Sequence, residues 1–291
     1  MIIDLHSHST RSDGRESVRT VFEEAKKAGV DVLALTDHDT TAGWAEAAEV
    51  ANELGIRFIP GIEVTTRAHV IGRDGKLHKF GVHMLAYLPN PNHPELKQVL
   101  EESVLSRESR LREITERVAK DWHISWEEVE AQLSTGATKG RPALADALVA
   151  KGHFVNRGEV FDQVFFKNSP YYVPNRGVPD TIEAIRLIRR AGGVPVIAHP
   201  LGRGKGPKWY QPLPKAHFEE MIAAGLAGFE VYHRDVPERA RRWLISLAKK
   251  HDLVITGSSD YHGKDGKVNL LGENTTSEAM LERIVSQGFR G

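Results

Sequence analysis

Asp31-Val32-Leu33-Ala34-Leu35-Thr36-Asp37-His38 is the stretch that decides the fold class. An unbroken apolar run from Val32 to Leu35 describes a strand covered on both faces, because a half-exposed strand alternates apolar and polar residues. Such strands belong to parallel sheets whose crossover helices lie on either side. Outward from this run the same unit recurs. Upstream, residues 2–5 make a short apolar strand, and Ser17 opens a helical pattern of Val18, Val21, Phe22, Ala25 and Ala28 that Gly29 stops. Downstream, residues 41–54 return to helical spacing and end at Gly55. Further strands are expected at Ile56 to Thr65, Phe80 to Leu88, Val194 to Ala198, Gly228 to Val231 and Leu253 to Thr256. Helical patterns at about 180–191, 214–224, 236–250 and 277–287 separate or follow the later strands. The alternation predicts an α/β protein with a mostly parallel sheet.

Residues 93–175 interrupt the alternation with several helical segments and little strand character. Ser125-Trp126-Glu127-Glu128 has the form of a capping box, and Pro142 suits the first turn of another helix. This stretch is expected to form an inserted helical subdomain that caps the substrate, with residues 1–92 and 176–291 composing the catalytic domain. Within it, Glu101 to Lys120 carries Leu105, Leu111, Ile114 and Val118 as an apolar stripe, which leaves its charges on a solvated face.

Composition narrows the partners. Lys and Arg number 39 and Asp and Glu 39, so the chain has no net charge and lacks the basic surplus that gripping long nucleic acid or an anionic membrane requires. Without cysteine there is no disulfide framework, no thiolate-bound zinc and no thiol nucleophile, which fits a cytoplasmic location. Met1 to His6 has no basic segment leading a long apolar one, and no run approaches the roughly 18 apolar residues of a membrane span. Export and membrane insertion are therefore not expected.

Chemistry enters with the positions of His and acidic residues relative to the expected strands. His6 and His8 follow the first strand, with Asp13 just beyond; Asp37 and His38 end the second; Glu63 sits late in the third. His83 lies in the fourth, with His69 and His78 as nearby competitors for its role. His199 ends the fifth, His233 follows the sixth, and Asp260 and His262 follow the seventh. In parallel α/β barrels functional groups gather at the C-terminal ends of strands, so these residues should converge. Imidazole and carboxylate are ligands for borderline and hard divalent metals, and His6, His8, Asp13, His38, Glu63, His83, His199, Asp260 and His262 together are too many for one ion. Two or three ions are implied. Period-2 alternation puts His6 and His8 on one side of an extended chain. Glu63, an acid in an apolar strand, needs cations to stay ionised, and bridging two ions would provide them.

Asp4-Leu5-His6-Ser7-His8, Ser12-Asp13-Gly14, Thr36-Asp37-His38, Gly61-Ile62-Glu63, His199-Pro200 and Ser259-Asp260-Tyr261-His262 resemble the sequential motifs of the PHP (polymerase and histidinol phosphatase) superfamily. The resemblance spans the chain apart from the insert. It implies a distorted seven-stranded β/α barrel, two or three metals (manganese, with iron and zinc as alternatives) and phosphoester hydrolysis by a hydroxide bridging two metals. Carried over, it places His6, His8, Glu63 and Asp260 on one metal, Glu63, His83 and His199 on a second, and Asp13, His38 and His262 on a third. Glu63, Asp260 and His199 then stand at the reacting centre, with Asp37 orienting a ligand His from behind.

Within the insert, Gly140-Arg141-Pro142, Leu144-Ala145, Ala147-Leu148, Lys151-Gly152 and Ser169-Pro170-Tyr171-Tyr172-Val173-Pro174 are similar to the branch containing nucleoside 3′,5′-bisphosphate phosphatases and a 5′-to-3′ exoribonuclease of short RNAs. Ala143 stands where that branch commonly has His. The substrate expected is a small nucleotide-like phosphomonoester, above all the 3′-phosphate of a nucleoside 3′,5′-bisphosphate. The alternatives are histidinol phosphate, a cyclic phosphate or short RNA, and, outside enzymes, a metal-stabilised module serving a polymerase. Arg141, Lys167, Arg203 in the loop Gly202 to Lys208, and His233 are the candidate substrate contacts, because Arg in particular presents a planar fork to phosphate. Trp209 and Tyr210 are candidates for stacking on a base, and Tyr171 and Tyr172 for lining the mouth of the site.

Overall fold

The computed structural model describes residues 1–72, 74–134, 137–166, 168–201 and 213–289. Seven strands, β1 (Ile3–Asp4), β2 (Val32–Leu35), β3 (Arg57–Ile71), β4 (Leu77–Tyr87), β5 (Val194–Ile197), β6 (Gly228–Tyr232) and β7 (Val254–Gly257), form one sheet in sequence order. The unbroken apolar run behaves as its composition demands: Leu33 and Leu35 pack with Val21, Phe22 and Val50, while Val32 and Ala34 join the cluster on the opposite face. The helices covering the first face are α1 (Val18–Lys27), capped by Ser17, and α2 (Trp44–Leu54), closed by Gly55 in the left-handed conformation.

The expected parallel pairing holds for β1–β2, β2–β3, β5–β6 and β6–β7 but not in the middle of the sheet. β3 and β4 are an antiparallel hairpin, in register from Gly61 opposite Tyr87 to Ile71 opposite Leu77, and β4 runs antiparallel to β5 as well. Both strands extend past the bounds read from the sequence. The cause is the short link between them, where Gly72 N–H donates to the Lys76 carbonyl and Gly75 adopts φ +73°; a parallel return would need a crossover of a dozen or so residues. Beyond β1 and β7 the chain forms a parallel bridge between Ser7 and Tyr261, with His8 N–H donating to the Tyr261 carbonyl at 2.8 Å. Ile3, Val32, Ile59, Leu85, Val196 and Val254 share one buried cluster with Leu281 and Ile284 of a C-terminal helix.

Four helices follow β4: α3 (Pro94–Trp122), α4 (Trp126–Glu130) with the Ser125–Glu128 capping box in place, α5 (Arg141–Ala150) with Pro142 in its first turn, and α6 (Arg157–Gln163). Leu96 and Leu100 at the start of α3 pack into the sheet's cluster, whereas Leu111, Ile114 and Val118 enter a separate cluster with Leu144, Leu148 and Val160. Leu105 is exposed, so the expected stripe begins only at Leu111. Helices α7 (Thr181–Arg190), α8 (Lys215–Ala223), α9 (Glu238–Lys250) and α10 (Glu278–Gln287) complete the chain. Among the described residues no helix is long and apolar enough to cross a membrane.

Candidate metal centre

All nine expected ligands meet at one edge of the sheet. Ser7 Oγ donates to the Ala34 carbonyl on one side of the chain, which turns its neighbours His6 and His8 inward together. Their Nε2 atoms lie 3.0 Å apart. Glu63 Oε2 lies 3.3 Å from His6 Nε2 and 3.1 Å from His8 Nε2, and Asp260 Oδ1 completes this group at 3.4 and 3.3 Å. The two oxygens of Glu63 divide their neighbours. Oε2 also faces His38 Nδ1 at 3.3 Å, while Oε1 faces His83 Nδ1 at 2.6 Å and His199 Nε2 at 3.1 Å. On the far side, Asp13 Oδ1 sits 3.2 Å from His262 Nε2 and Oδ2 sits 3.7 Å from His38 Nε2. His83 is the fourth-strand histidine at the site; His69 and His78 are exposed on the hairpin and paired with Asp180 and Asp74.

The donor set suits divalent cations. His6 Nδ1 donates to Glu230 and His262 Nδ1 to the Asp260 carbonyl, which leaves the Nε2 lone pair of each ring directed into the cluster. Asp13 Oδ1 is buried without a hydrogen-bond donor. Charge within the cluster is redistributed to match. Burial would raise Glu63 and Asp13, yet the surrounding imidazoles hold both carboxylates well below the usual range. Burial would lower His8, but Asp260 and Glu63 drive it up to about 9, whereas burial prevails at His38 and pushes it well down. His199 (φ +31°) and Asp260 (φ +55°) both occupy the left-handed region, a strained setting typical of functional positions.

Several groups behind the ligands were not anticipated. Glu230, fully buried in β6, accepts from His6 Nδ1 at 2.9 Å, Ser258 Oγ at 2.8 Å and His199 N–H at 2.6 Å. Its composition signal is the one read for Glu63, an acid within an apolar strand. Asp4 accepts from the backbone of Ser259 and Gly272, tying β1 to the ligand loop after β7. Lys267 Nζ lies 2.6 Å from Asp260 Oδ2. Asp37 does not contact a ligand ring; it accepts from Ser9 N–H, Ser9 Oγ and Ser12 Oγ, and Ser12 Oγ in turn lies 3.4 Å from His8 Nδ1.

Over the cluster opens a cavity of about 510 Å³, lined by ligand side chains and by Arg107, Arg110, Lys139, Arg141, Arg157 and Lys267. Arg141 stands at the start of α5 with its guanidinium 5.5 Å from the Phe161 ring centre and 5.8 Å from that of Phe165. His233 is fully buried, accepting from Asp235 N–H at Nδ1 and directing Nε2 toward Asp260 Oδ2 at 3.5 Å, so it faces a ligand carboxylate and not the open cavity. Lys167, Arg203, Trp209, Tyr210 and the loop from Gly202 to Lys208 lie outside the described residues.

Comparison with known proteins gives this site its class. Residues 4–146 match the PHP domain. Over 276 residues the chain is 32% identical to phosphoribosyl 1,2-cyclic phosphate 1,2-diphosphodiesterase of Eggerthella lenta, covering 94% of this chain and 98% of that one. It is 32% identical to a 5′-3′ exoribonuclease of Haemophilus influenzae, with 93% of each chain covered. The 3′,5′-nucleoside bisphosphate phosphatase of Chromobacterium violaceum shares 30% identity over 91% of this chain and 89% of its own. A crystal structure from Bifidobacterium adolescentis, described as a metal-dependent phosphoesterase, superimposes with TM-score 0.90 and 38% identity over 99% of this chain and 96% of the other. Fold and donor set together define a metal-dependent phosphoesterase, a hydrolase of phosphoric ester bonds. The chain belongs to the PHP family.

Proposed function

We propose that this protein removes the 3′-phosphate of nucleoside 3′,5′-bisphosphates, using two or three divalent ions, manganese foremost, held by the nine clustered ligands. The observation that carries the reading is the division of Glu63 between two groups of imidazoles in a cavity that arginines and lysines also line. Those cations suit a substrate with a second anionic group besides the one that reacts. The name of the Chromobacterium violaceum relative supports the same choice. The sheet is read as a distorted barrel closed through Ser7 and Tyr261, since seven flat strands would hold their edges about 29 Å apart. Residues 93–175 are read as its substrate cap.

When bound, the ions lower the pKa of a water molecule and neutralise charge developing on the phosphoryl oxygens. The chain's own part is positional. Glu63 belongs to both halves of the cluster, Asp260 and His199 meet it from the ends of β7 and β5, and Glu230 fixes the proton of His6 on Nδ1. Arg141, braced on two aromatic rings, is the contact from α5 for substrate phosphate.

A second reading, hydrolysis of a cyclic phosphate, is favoured by the near-complete overlap with the Eggerthella lenta enzyme. Phosphate release and product analysis on adenosine 3′,5′-bisphosphate, phosphoribosyl 1,2-cyclic phosphate and a 5′-phosphorylated short RNA, with manganese and after chelation, separate the readings. The bisphosphate should give the highest kcat/KM, chelation should abolish turnover, and His199→Ala and Asp260→Asn should lose most of it with the fold retained. No phosphate from the bisphosphate in the presence of manganese, or turnover that survives complete chelation, refutes the proposal.

A further inference from the structure

Beyond Leu96 and Leu100, which seat the start of α3 on the sheet, the apolar cluster of the insert is its own: among the described residues it runs from Leu111 to Val173 and includes no residue of the sheet. The contacts that tie this unit to the metal centre are polar, and they converge on two ligand loops. Thr138, in the stretch before α5, donates from Oγ1 to the His38 carbonyl at 2.9 Å and from its N–H to the Arg11 carbonyl at 2.9 Å. Arg157 of α6 donates to the Asp13 carbonyl at 3.2 Å, while two further hydrogen bonds seat it on Asp146 of α5, which also pairs with Arg15. Arg107 of α3 donates to Asp39, the residue after His38. Four segments of the insert thus reach residues 11–15 and 38–39, the loops that carry Asp13 and His38.

Those loops form the loosest part of the cluster. Asp13 Oδ2 lies 3.7 Å from His38 Nε2 and Asp13 Oδ1 lies 3.7 Å from His8 Nδ1, whereas the Glu63 and Asp260 oxygens sit within 3.4 Å of His6 and His8 Nε2. Asp39 adopts φ +54°, a left-handed conformation uncommon outside glycine, so the chain leaving His38 turns sharply where Thr138 and Arg107 grip it. A carbonyl pinned by a fixed donor sets the direction of its residue's side chain, and a coordination sphere tolerates only about 0.5 Å of misplacement. Thr138 is buried, and the hydrogen bonds to Asp146 hold Arg157 in its place. We propose that the insert completes the third group of ligands: Thr138 and Arg157 are positioning residues that hold His38 and Asp13, so that the ion at this group binds tightly only with the insert docked. The assignment rests on the metal-dependent reading above and makes the insert a working part of the metal centre as well as a cover for substrate.

Manganese is titrated by calorimetry into chelator-treated wild type, Thr138→Val, Thr138→Ser, Arg157→Gln and Asp13→Asn, and the bound ions are counted after gel filtration. The wild type should bind three ions, and Asp13→Asn should lose the weakest of them, which fixes its place. Thr138→Val keeps the shape without the hydroxyl donor, and Arg157→Gln removes the guanidinium; each should weaken that same ion by about 10- to 100-fold and leave the two tighter ions within about threefold of wild type. Thr138→Ser keeps the donor and should match wild type; a Ser variant as weak as the Val variant overturns the role of the hydroxyl. All ions unchanged in both Thr138→Val and Arg157→Gln, or all weakened alike, overturn the assignment even where the metal-free variants melt lower, since a merely structural role lowers the Tm without singling out one ion. Only two ions on the wild type likewise overturns it and leaves a two-ion phosphoesterase standing, whereas no bound ion refutes that reading as well.

Discussion

Glu230→Gln isolates the contribution of the carboxylate behind the ligands. The side chain keeps its shape but exchanges one acceptor oxygen for an NH2 donor, and both possible orientations are damaging. If the amide nitrogen replaces Oε2, it confronts His199 N–H, now 2.6 Å from the oxygen, and a buried donor loses its acceptor. If it replaces Oε1, it faces His6 Nδ1, and His6 can accept from it only by moving its own proton to Nε2, the atom directed at Glu63 and Asp260. One hydrogen bond to a charged group is worth about 1.5–3 kcal/mol, and loss of such an outer partner typically lowers metal affinity about 10- to 100-fold. Chelator-competition titration with manganese should therefore show a Kd raised by that factor, while kcat at saturating manganese stays within severalfold of wild type. Acid titration gives a second reading. Burial would raise Glu230, but His6, followed by His233 and His199, lowers it from an ordinary 4.5 to about 2. Its stabilisation of the metal-free protein is thus complete above pH 4.5 and lost as pH falls toward 2, and the variant should lack this acid-dependent step. A manganese Kd within twofold of wild type, with an unchanged acid profile, would show that Glu230 does not orient the ligands.

Two further outcomes follow from the same cluster. With His8 raised from 6.5 to about 9, its stabilisation of the metal-free protein is fully present below pH 6.5 and is lost as pH rises through 9. A neutral ring is needed to bind metal, so manganese affinity should rise over the same interval by up to about tenfold per pH unit for each proton released. Thermal melts and calorimetry in buffers of different ionisation enthalpy check the two opposite slopes; a binding reaction that releases no proton at neutral pH contradicts them. Gly14→Ala should weaken both the fold and the metal site, because a Cβ there would lie 2.5 Å from the His8 carbonyl oxygen. A destabilisation of about 1–3 kcal/mol is expected from such overpacking, together with weaker manganese binding, and a Tm equal to wild type rules the clash out.

The sequence carried the ligand set well because the signal was positional. His6, His38, His199 and Asp260 each follow an apolar strand, and a sheet with its strand ends aligned brings such residues together however far apart they lie in the chain. Glu63 was legible by a different argument, the cost of an acid in an apolar strand. Glu230 meets the same criterion in Gly228-Phe229-Glu230-Val231 yet stayed silent, because its role depends on lying opposite His6, a residue of another strand with no neighbouring motif to point across the sheet. The β3–β4 hairpin was obscured for a related reason. Thr65, Arg67 and His69 alternate with Thr66, Ala68 and Val70, a pattern too polar to read as the buried parallel strand expected there, although it is what a projecting antiparallel strand requires.

The cations lining the cavity were the part least accessible to sequence. Arg107 and Arg110 belong to a stretch whose charges, by helical periodicity, form a solvated face, and periodicity assumes that a helix buries one side only. Helix α3 meets three environments along its length: the sheet cluster at Leu96 and Leu100, the helical cluster at Leu111, Ile114 and Val118, and the cavity at Arg107 and Arg110. Two arginines three residues apart share a face, and here that face borders the cavity that Glu63 and its imidazoles also line. The inversion of Leu105, exposed, against Arg107 and Arg110, partly buried, is what an apolar-stripe reading cannot generate, since it ranks faces by hydrophobicity alone. A charged face can turn inward where polar groups of the same chain receive it, as Asp39 receives Arg107 Nε and the Val173 carbonyl receives Arg110 Nε.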